Sequence, residues 1–300
     1  MKLTKTIMSV LLLGGVALSA SGSIKVHDVS RETTKSYDDN VTKIVFDDSG
    51  MFDVTCSDPS REETKQIVVN RNCTLNLKNI NLKNTQIGVS SIEVNNGATL
   101  VLNVDGKNIV SSGHGAAGIL VTEKATLIVN RADNAAAADA VLYVSCGQNG
   151  AAIGAAGPYG TVQRSVNGGT IIVNSGTIVT RRSDASATYW CDGLGGAFQA
   201  DCKRVEVNGG TLDIQTPGSI CATDVVISGG SVCLVQTREG IRRSVNGRRV
   251  DILPVNKNGE LPALAKLPVD TGILGDKGFK VEFQGESYGT KDIFPIEDPQ

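Results

Sequence analysis

This chain of 300 residues is short of bulky and titratable side chains. Aromatic residues make up 4% of it, with 1 tryptophan and 2 histidines. A core must therefore be layered from Val, Ile, Leu and Ala, and two histidines leave little room for a histidine metal site or a catalytic triad. Neither sign of charge dominates: 29 Lys and Arg stand against 31 Asp and Glu, a net charge of −2. That balance excludes the broad basic surface of a nucleic-acid binder and the polybasic patch of a membrane-surface protein. There is no Cys-x-x-Cys, which argues against zinc and thioredoxin-like chemistry. No apolar run reaches the ~20 residues of a membrane span. Proline is scarce at 8 while glycine reaches 34, a mixture neither disordered nor collagen-like.

What is present begins with a leader. Lys2 and Lys5 precede an apolar run over residues 7–18, and Ser19-Ala20-Ser21-Gly22 supplies small residues after it. A charged start, an apolar middle and a small-residue exit read as a secretory signal peptide over residues 1–20. No cysteine stands at the cleavage point, so a lipid anchor is not expected. The mature chain is expected to be exported: secreted, periplasmic or at the cell surface. Seven cysteines (56, 73, 146, 191, 202, 221 and 233) then invite a disulfide reading, and an odd number leaves at least one out. Cys73 alternates in register with Leu75 and Leu77 and is expected to face a core. Cys191 with Cys202, and Cys221 with Cys233, are the first pairs to test as bridges.

From about Gln66 short alternating runs recur between Asn and Gly: Thr74-Leu75-Asn76-Leu77, Thr99-Leu100-Val101-Leu102, Thr126-Leu127-Ile128-Val129, Thr170-Ile171-Ile172-Val173, Thr211-Leu212-Asp213-Ile214 and Ser231-Val232-Cys233-Leu234. These are period-two strands. The Ala-rich stretch 131–141 has no apolar stripe and reads as a loop. Asn167-Gly168-Gly169-Thr170, Asn208-Gly209-Gly210-Thr211 and Ser228-Gly229-Gly230-Ser231 repeat one turn, with Asn96-Gly97-Ala98-Thr99 a weaker copy. Their spacing points to a solenoid with a period of roughly 20 residues. Overlaying the copies puts Ile171, Leu212 and Val232 in one column, Val173, Ile214 and Leu234 in a second, and Val166, Val207 and Ile227 in a third. Ile172, Asp213 and Cys233 share the opposite face.

Thin turns of this kind bury a core only by stacking, through parallel strands about 4.8 Å apart. A sandwich would not keep a shared column register, and no leucine-rich-repeat signature is present. The expected fold is all-β: a right-handed parallel β-helix over residues 62–250, about nine coils of roughly 20 residues. Residues 21–61 are expected to form a lead-in and cap, with Lys43-Ile44-Val45-Phe46 as one strand. Residues 251–300 read as a Pro-containing linker and a small β-module or cap that includes Phe279-Lys280-Val281-Glu282-Phe283.

Several of these motifs resemble those of secreted bacterial β-helix proteins with a carbohydrate-binding domain, of the Bacteroides type. The likeness lies in the Asn-Gly-Gly-Thr turns, Gly150-Ala151-Ala152-Ile153-Gly154, Ala197-Phe198-Gln199-Ala200-Asp201, Glu239-Gly240-Ile241 and the closing Ser287-Tyr288-Gly289-Thr290-Lys291-Asp292. It implies a non-catalytic binder of polysaccharide, or a surface adhesin, whose partner is a host or bacterial surface glycan. Some members of the family bind calcium, and the acids that the resemblance offers here are Asp201, Asp224 and Glu239. The chain departs from the family at Gly195-Gly196-Ala197, which lacks the acid of the usual Gly-Asp pattern.

The β-helix also hosts pectin lyases and polygalacturonase-like hydrolases, so an enzyme is the alternative. A hydrolase needs two carboxylates flanking the scissile bond. Asp184, Asp192, Asp201 and Asp224 could share a face, but none has the Asp-Asp or Asn-x-Asp spacing of such enzymes. His114, in a glycine-flanked loop, has no partner in sight. A third reading is a structural spacer without ligand. The remaining chemical signal is aromatic. Tyr189 and Trp190, with Asp192, lie in an excursion over residues 181–196 that opens on Arg181-Arg182, and Tyr159 lies in a second one over residues 154–164. An exposed ring with a few polar neighbours suits the apolar face of a sugar, and paired arginines suit an acidic one. The expected binding set is Tyr159, Arg181, Arg182, Tyr189, Trp190 and Asp192.

Overall fold

In the computed structural model, residues 24–95, 97–136, 138–183, 191–216, 220–234, 245–246 and 249–252 are described. The expected signal peptide, most of the expected C-terminal module, Tyr189, Trp190 and Glu239 lie outside them. Alternating sequence makes strands, and the described chain is all-β with no helix. Its strands run parallel in two sheets, an arrangement consistent with a β-helix-like fold.

The chain visits three ladders of parallel strands. The first holds β4 (Gly50–Cys56), β6 (Cys73–Lys78), β9 (Thr99–Asp105), β12 (Thr126–Arg131), β15 (Gly168–Val173), the leading halves of β18 (Cys202–Ile214) and β20 (Asp224–Leu234), and β22 (Arg249–Ile252). A second ladder holds β7 (Asn81–Asn84), β10 (Lys107–Ser112), β13 (Val141–Cys146), β16 (Thr177–Arg182) and the trailing halves of β18 and β20. Because β18 and β20 run through both, these two ladders share one 14-stranded sheet. The third ladder is the 8-stranded sheet of β3 (Lys43–Phe46), β5 (Gln66–Val69), β8 (Ile92–Val94), β11 (Ile119–Val121), β14 (Ala151–Gly154), β17 (Asp192–Gly195), β19 (Ile220–Cys221) and β21 (Val245–Asn246).

Parallel pairing stacks like on like. In the first ladder Cys73, Leu100, Leu127, Ile171, Val205 and Val225 lie in register, as do Leu75, Leu102, Val129, Val173, Val207 and Ile227. All of them are buried. Cys73 faces this core as expected, and burial pushes its thiol up to about 11. The third ladder contributes a column of Ile44, Ile67, Ile92, Ile119, Ile153, Leu194 and Ile220. Alternation predicts the first-ladder strands but not most of this column, whose strands are short (Ile92–Val94 and Ile119–Val121 have three residues each). Outside the first ladder an amide stack climbs the sheet. Asn76 donates to Asp53 (2.7 Å), Asn103 to Asn76 (2.8 Å), Asn130 to Asn103 (3.2 Å), Asn174 to Asn130 (3.0 Å) and Asn208 to Asn174 (3.0 Å). The Ser228 hydroxyl donates to Asn208 (2.7 Å) and ends it.

The same stack corrects the expected period. Its steps are 23, 27, 27, 44, 34 and 20 residues, so the 20-residue turn is the shortest of them. Among the described residues the first ladder is visited eight times from Gly50 to Ile252, against an expectation of about nine coils over residues 62–250. The overlay of Gly-Gly turns is wrong at one copy. Gly168 pairs with Cys202 and Thr170 with Arg204, whereas Thr211 pairs with Thr177 and Ser231. Ile171 and Val173 therefore stack on Val205 and Val207, and Leu212 stacks on Ile178 and Val232. The physical reason is that two different corners both demand glycine. Gly176, Gly210 and Gly230 bend the chain between the first two ladders with φ of 88°, 82° and 83°. Gly169 is needed for space, since a side chain there would strike the carbonyls of Ala125 and Thr122. The face assignment of the long strands survives: Leu212 is buried and Asp213, between Val179 and Cys233, is on the other face.

The ladders also begin earlier than expected, at Lys43 rather than residue 62, since β3 already pairs with β5 and β4 with β6. Ahead of them β1 (Ile24–Asp28) pairs antiparallel with both β4 and β2 (Thr33–Tyr37), closing that edge of the sheet with a polar hairpin. Among the described residues no helix is long and apolar enough to cross a membrane.

Neighbouring residues of β12 test the register. Leu127→Asp should bury an unpaired carboxylate in the column and cost several kcal/mol, while Ile128→Thr on the outer face should cost less than about 1 kcal/mol. Urea midpoints of the two variants compare them, and equal midpoints would mean that the faces are inverted.

Candidate functional site

The outer face of the second ladder gathers the side chains with most chemistry. Ile109, Tyr143, Val179 and Asp213 lie in one row across the adjacent strands β10, β13, β16 and β18. Period two puts the residues two places away on the same face, so Lys107 and Arg181 flank Tyr143 on opposite diagonals. The Lys107 ammonium lies 5.4 Å from the Tyr143 ring centre and the Arg181 guanidinium 5.0 Å from it. Each such contact contributes about 0.5–1 kcal/mol at an exposed site.

Arg181 is held from the other side as well. Its Nε donates to Gln215 Oε1 at 3.1 Å, and Gln215 Nε2 donates to Asp213 Oδ2 at 2.6 Å. The second carboxylate oxygen, Asp213 Oδ1, is buried and has no hydrogen-bond partner. The face thus offers a ring, two cations and an amide, with a carboxylate behind the amide. Of these the sequence had pointed to Arg181 alone. Gln215 is 34 residues from Arg181, and Tyr143 and Lys107 sit in strands with no unusual motif, so only the pairing register reveals them.

The other expected site residues are dispersed. Tyr159 stacks on His114, with ring centres 4.5 Å apart and planes 28° from parallel. His114 therefore has the partner the sequence did not reveal, and its Nδ1 accepts the Gln148 N–H at 3.0 Å, which puts the neutral ring's proton on Nε2. Arg182 ends β16 opposite Cys146, half-buried. Asp192 opens β17 opposite Ala151, and desolvation pushes its carboxyl up to about 7. Tyr189 and Trp190 fall outside the described residues.

Of the three acids offered for calcium, Asp201 and Asp224 are described and Glu239 is not. Asp201 is exposed and Asp224 stands opposite Arg204 in the ladder. Calcium takes six to eight oxygens, and no group of three or more His, Cys, Asp or Glu able to hold a metal exists among the described residues.

The disulfide expectation is corrected too. Cys146 bonds to Cys191, 45 residues away, while Cys202 and Cys221 are in no disulfide. Burial pushes the Cys202 thiol up to about 12. Cys191 precedes a third-ladder strand and Cys202 opens a first-ladder strand, so closeness in sequence does not make them neighbours. The bond ties Cys191 to the end of β13, and the Ser183 N–H donates to the carbonyl of the same Cys146 (2.8 Å). Comparison with known proteins identifies no relative: no protein-family model, curated protein or solved structure matches this chain.

Peptide mapping without reductant should recover Cys146 joined to Cys191. Replacing both by Ala should lower stability by about 2–4 kcal/mol in urea unfolding. Asp192 gives a pH test. A carboxyl raised from 3.8 to about 7 keeps its proton in the folded chain over a range where the unfolded chain has lost it. Stability contributed by that proton is full below about pH 4 and falls as pH rises toward 7. Asp192→Asn should flatten this slope, gaining stability over the wild type at pH 7.5 and little at pH 4; parallel curves would refute the burial of this carboxyl.

Proposed function

We propose that this chain is an exported, non-catalytic, right-handed parallel β-helix that binds polysaccharide, or acts as a surface adhesin, through the outer face of its second ladder. The observation that supports the reading is the Tyr143 face. Flat apolar area from Ile109 and the tyrosine ring suits the C–H face of a sugar, and few but varied polar groups suit its hydroxyls. Lys107 and Arg181 supply donors, and Gln215 holds Arg181 in place from the Asp213 side. Because they stand on hydrogen-bonded strands rather than on a loop, they are positioned before any ligand arrives, which lowers the entropy lost on binding. Catalysis by a pair of carboxylates would need a second acid, and the row of Tyr143 with its diagonal neighbours holds one, Asp213. Three parallel ladders visited in turn support the solenoid reading. The signal-like leader favours export.

A glycan array probed with residues 21–300 tests the proposal. Binding should be found, and Tyr143→Ala should weaken it at least ten-fold without moving the urea midpoint by more than the loss of one exposed side chain. New reducing ends or unsaturated products during incubation would restore the enzyme reading. Silence across the array would favour the spacer.

A further inference from the structure

We propose that the Tyr143 face selects acidic polysaccharides, with Arg181 and Lys107 each receiving a carboxylate from a uronate-containing chain that crosses the strands. This rests on the polysaccharide reading and adds the ligand class. Three observations converge on it.

First, both cations lack counter-charges. Among the described residues neither Lys107 nor Arg181 is in an ion pair; the contact that fixes Lys107 is the Tyr143 ring. The chain's overall charge is −2, so their positive field is a local property of this face.

Second, Asp213, the acid described in this row, does not meet Arg181 directly. Gln215 stands between them, accepting from the guanidinium Nε and donating to the Asp213 carboxylate. That bond engages the inner edge of the fork and leaves the terminal Nη donors without a protein acceptor among the described residues. A guanidinium anchored at Nε and against a ring presents its Nη hydrogens in a fixed plane, the geometry that takes a carboxylate with two parallel hydrogen bonds.

Third, the cations are spaced for separate acids. Lys107 and Arg181 occupy β10 and β16 on either side of β13, so they stand two strands apart, roughly 10 Å along the stack. One carboxylate cannot satisfy both, whereas successive acidic units of an extended polymer can. The direction joining them crosses the strands diagonally, from the register position of Val141 to that of Ser145.

The test uses titration calorimetry with residues 21–300 and an oligogalacturonate, against the same oligomer with its carboxyls methyl-esterified. The acid form should bind at least ten-fold more tightly, and the difference should shrink as salt rises from 50 to 300 mM. Arg181→Gln and Lys107→Gln should each lose about ten-fold toward the acid and little toward the ester. Gln215→Leu, which frees Arg181 to turn, should lose several-fold, and Lys124→Gln, an exposed cation elsewhere, should lose nothing. Unchanged urea midpoints certify that the variants are folded. Equal binding of acid and ester, or an Arg181→Gln variant with wild-type preference, would overturn the proposal and leave polysaccharide binding standing. Binding of no glycan at all would remove both readings. Tighter binding of a single-stranded oligonucleotide or of anionic vesicles than of the uronate would overturn the assignment of the face to a sugar acid.

Discussion

Everything in this molecule depends on parallel hydrogen bonding between one passage of the chain and the next. Parallel strands about 4.8 Å apart set each side chain directly over its equivalent in the previous passage. A position must therefore be filled by a residue able to stack on its own kind. Aliphatic side chains meet that demand inside, and amides meet it outside by pairing a donor with an acceptor at every step. The shortage of aromatic residues follows, because a ring stacked in every layer would overfill so thin an interior.

The same constraint shapes the candidate site. A parallel sheet aligns residues from distant stretches of chain, so a row such as Ile109, Tyr143, Val179 and Asp213 is assembled without any local motif. Departures from self-stacking are then informative. In this row four different side chains follow one another, with unpaired cations at the diagonals and a carboxylate oxygen without a partner. The inner columns, by contrast, repeat Leu, Ile and Val with little variation, and the amide stack repeats Asn.

Sequence made the all-β class and most first-ladder strands legible, because Thr-Leu-x-Leu alternation is a one-strand property. Leu75, Leu100 and Leu127 could be set inside from alternation alone. The period was not legible, since it is a property of corners: Gly168-Gly169 and Gly209-Gly210 look alike but do different work, the first yielding space and the second a left-handed bend. Apart from Lys43–Phe46, the third ladder escaped notice because strands such as Ile92–Val94 and Ile119–Val121 are too short to show a period. Of the expected binding residues, Arg181 lies on the Tyr143 face, while Tyr159 is engaged by His114. Pairings such as Cys146 with Cys191, or Arg181 with Gln215, span 45 and 34 residues and become visible only once the register is known.

The amide stack has a direction. Every asparagine from Asn76 to Asn208 gives its hydrogen backward, to an oxygen on the passage that came before it in the chain. The first oxygen belongs to a carboxylate, Asp53, an acceptor that needs no donor of its own, and β1 and β2 cover the side from which an earlier passage would otherwise come. The molecule thus has a fixed foundation and a growing end. Residues leaving the ribosome in order would therefore bring each new passage to an acceptor that already exists. A chain built in this way folds as masonry is laid, course upon course, and a half-emerged molecule is a shorter version of the finished one.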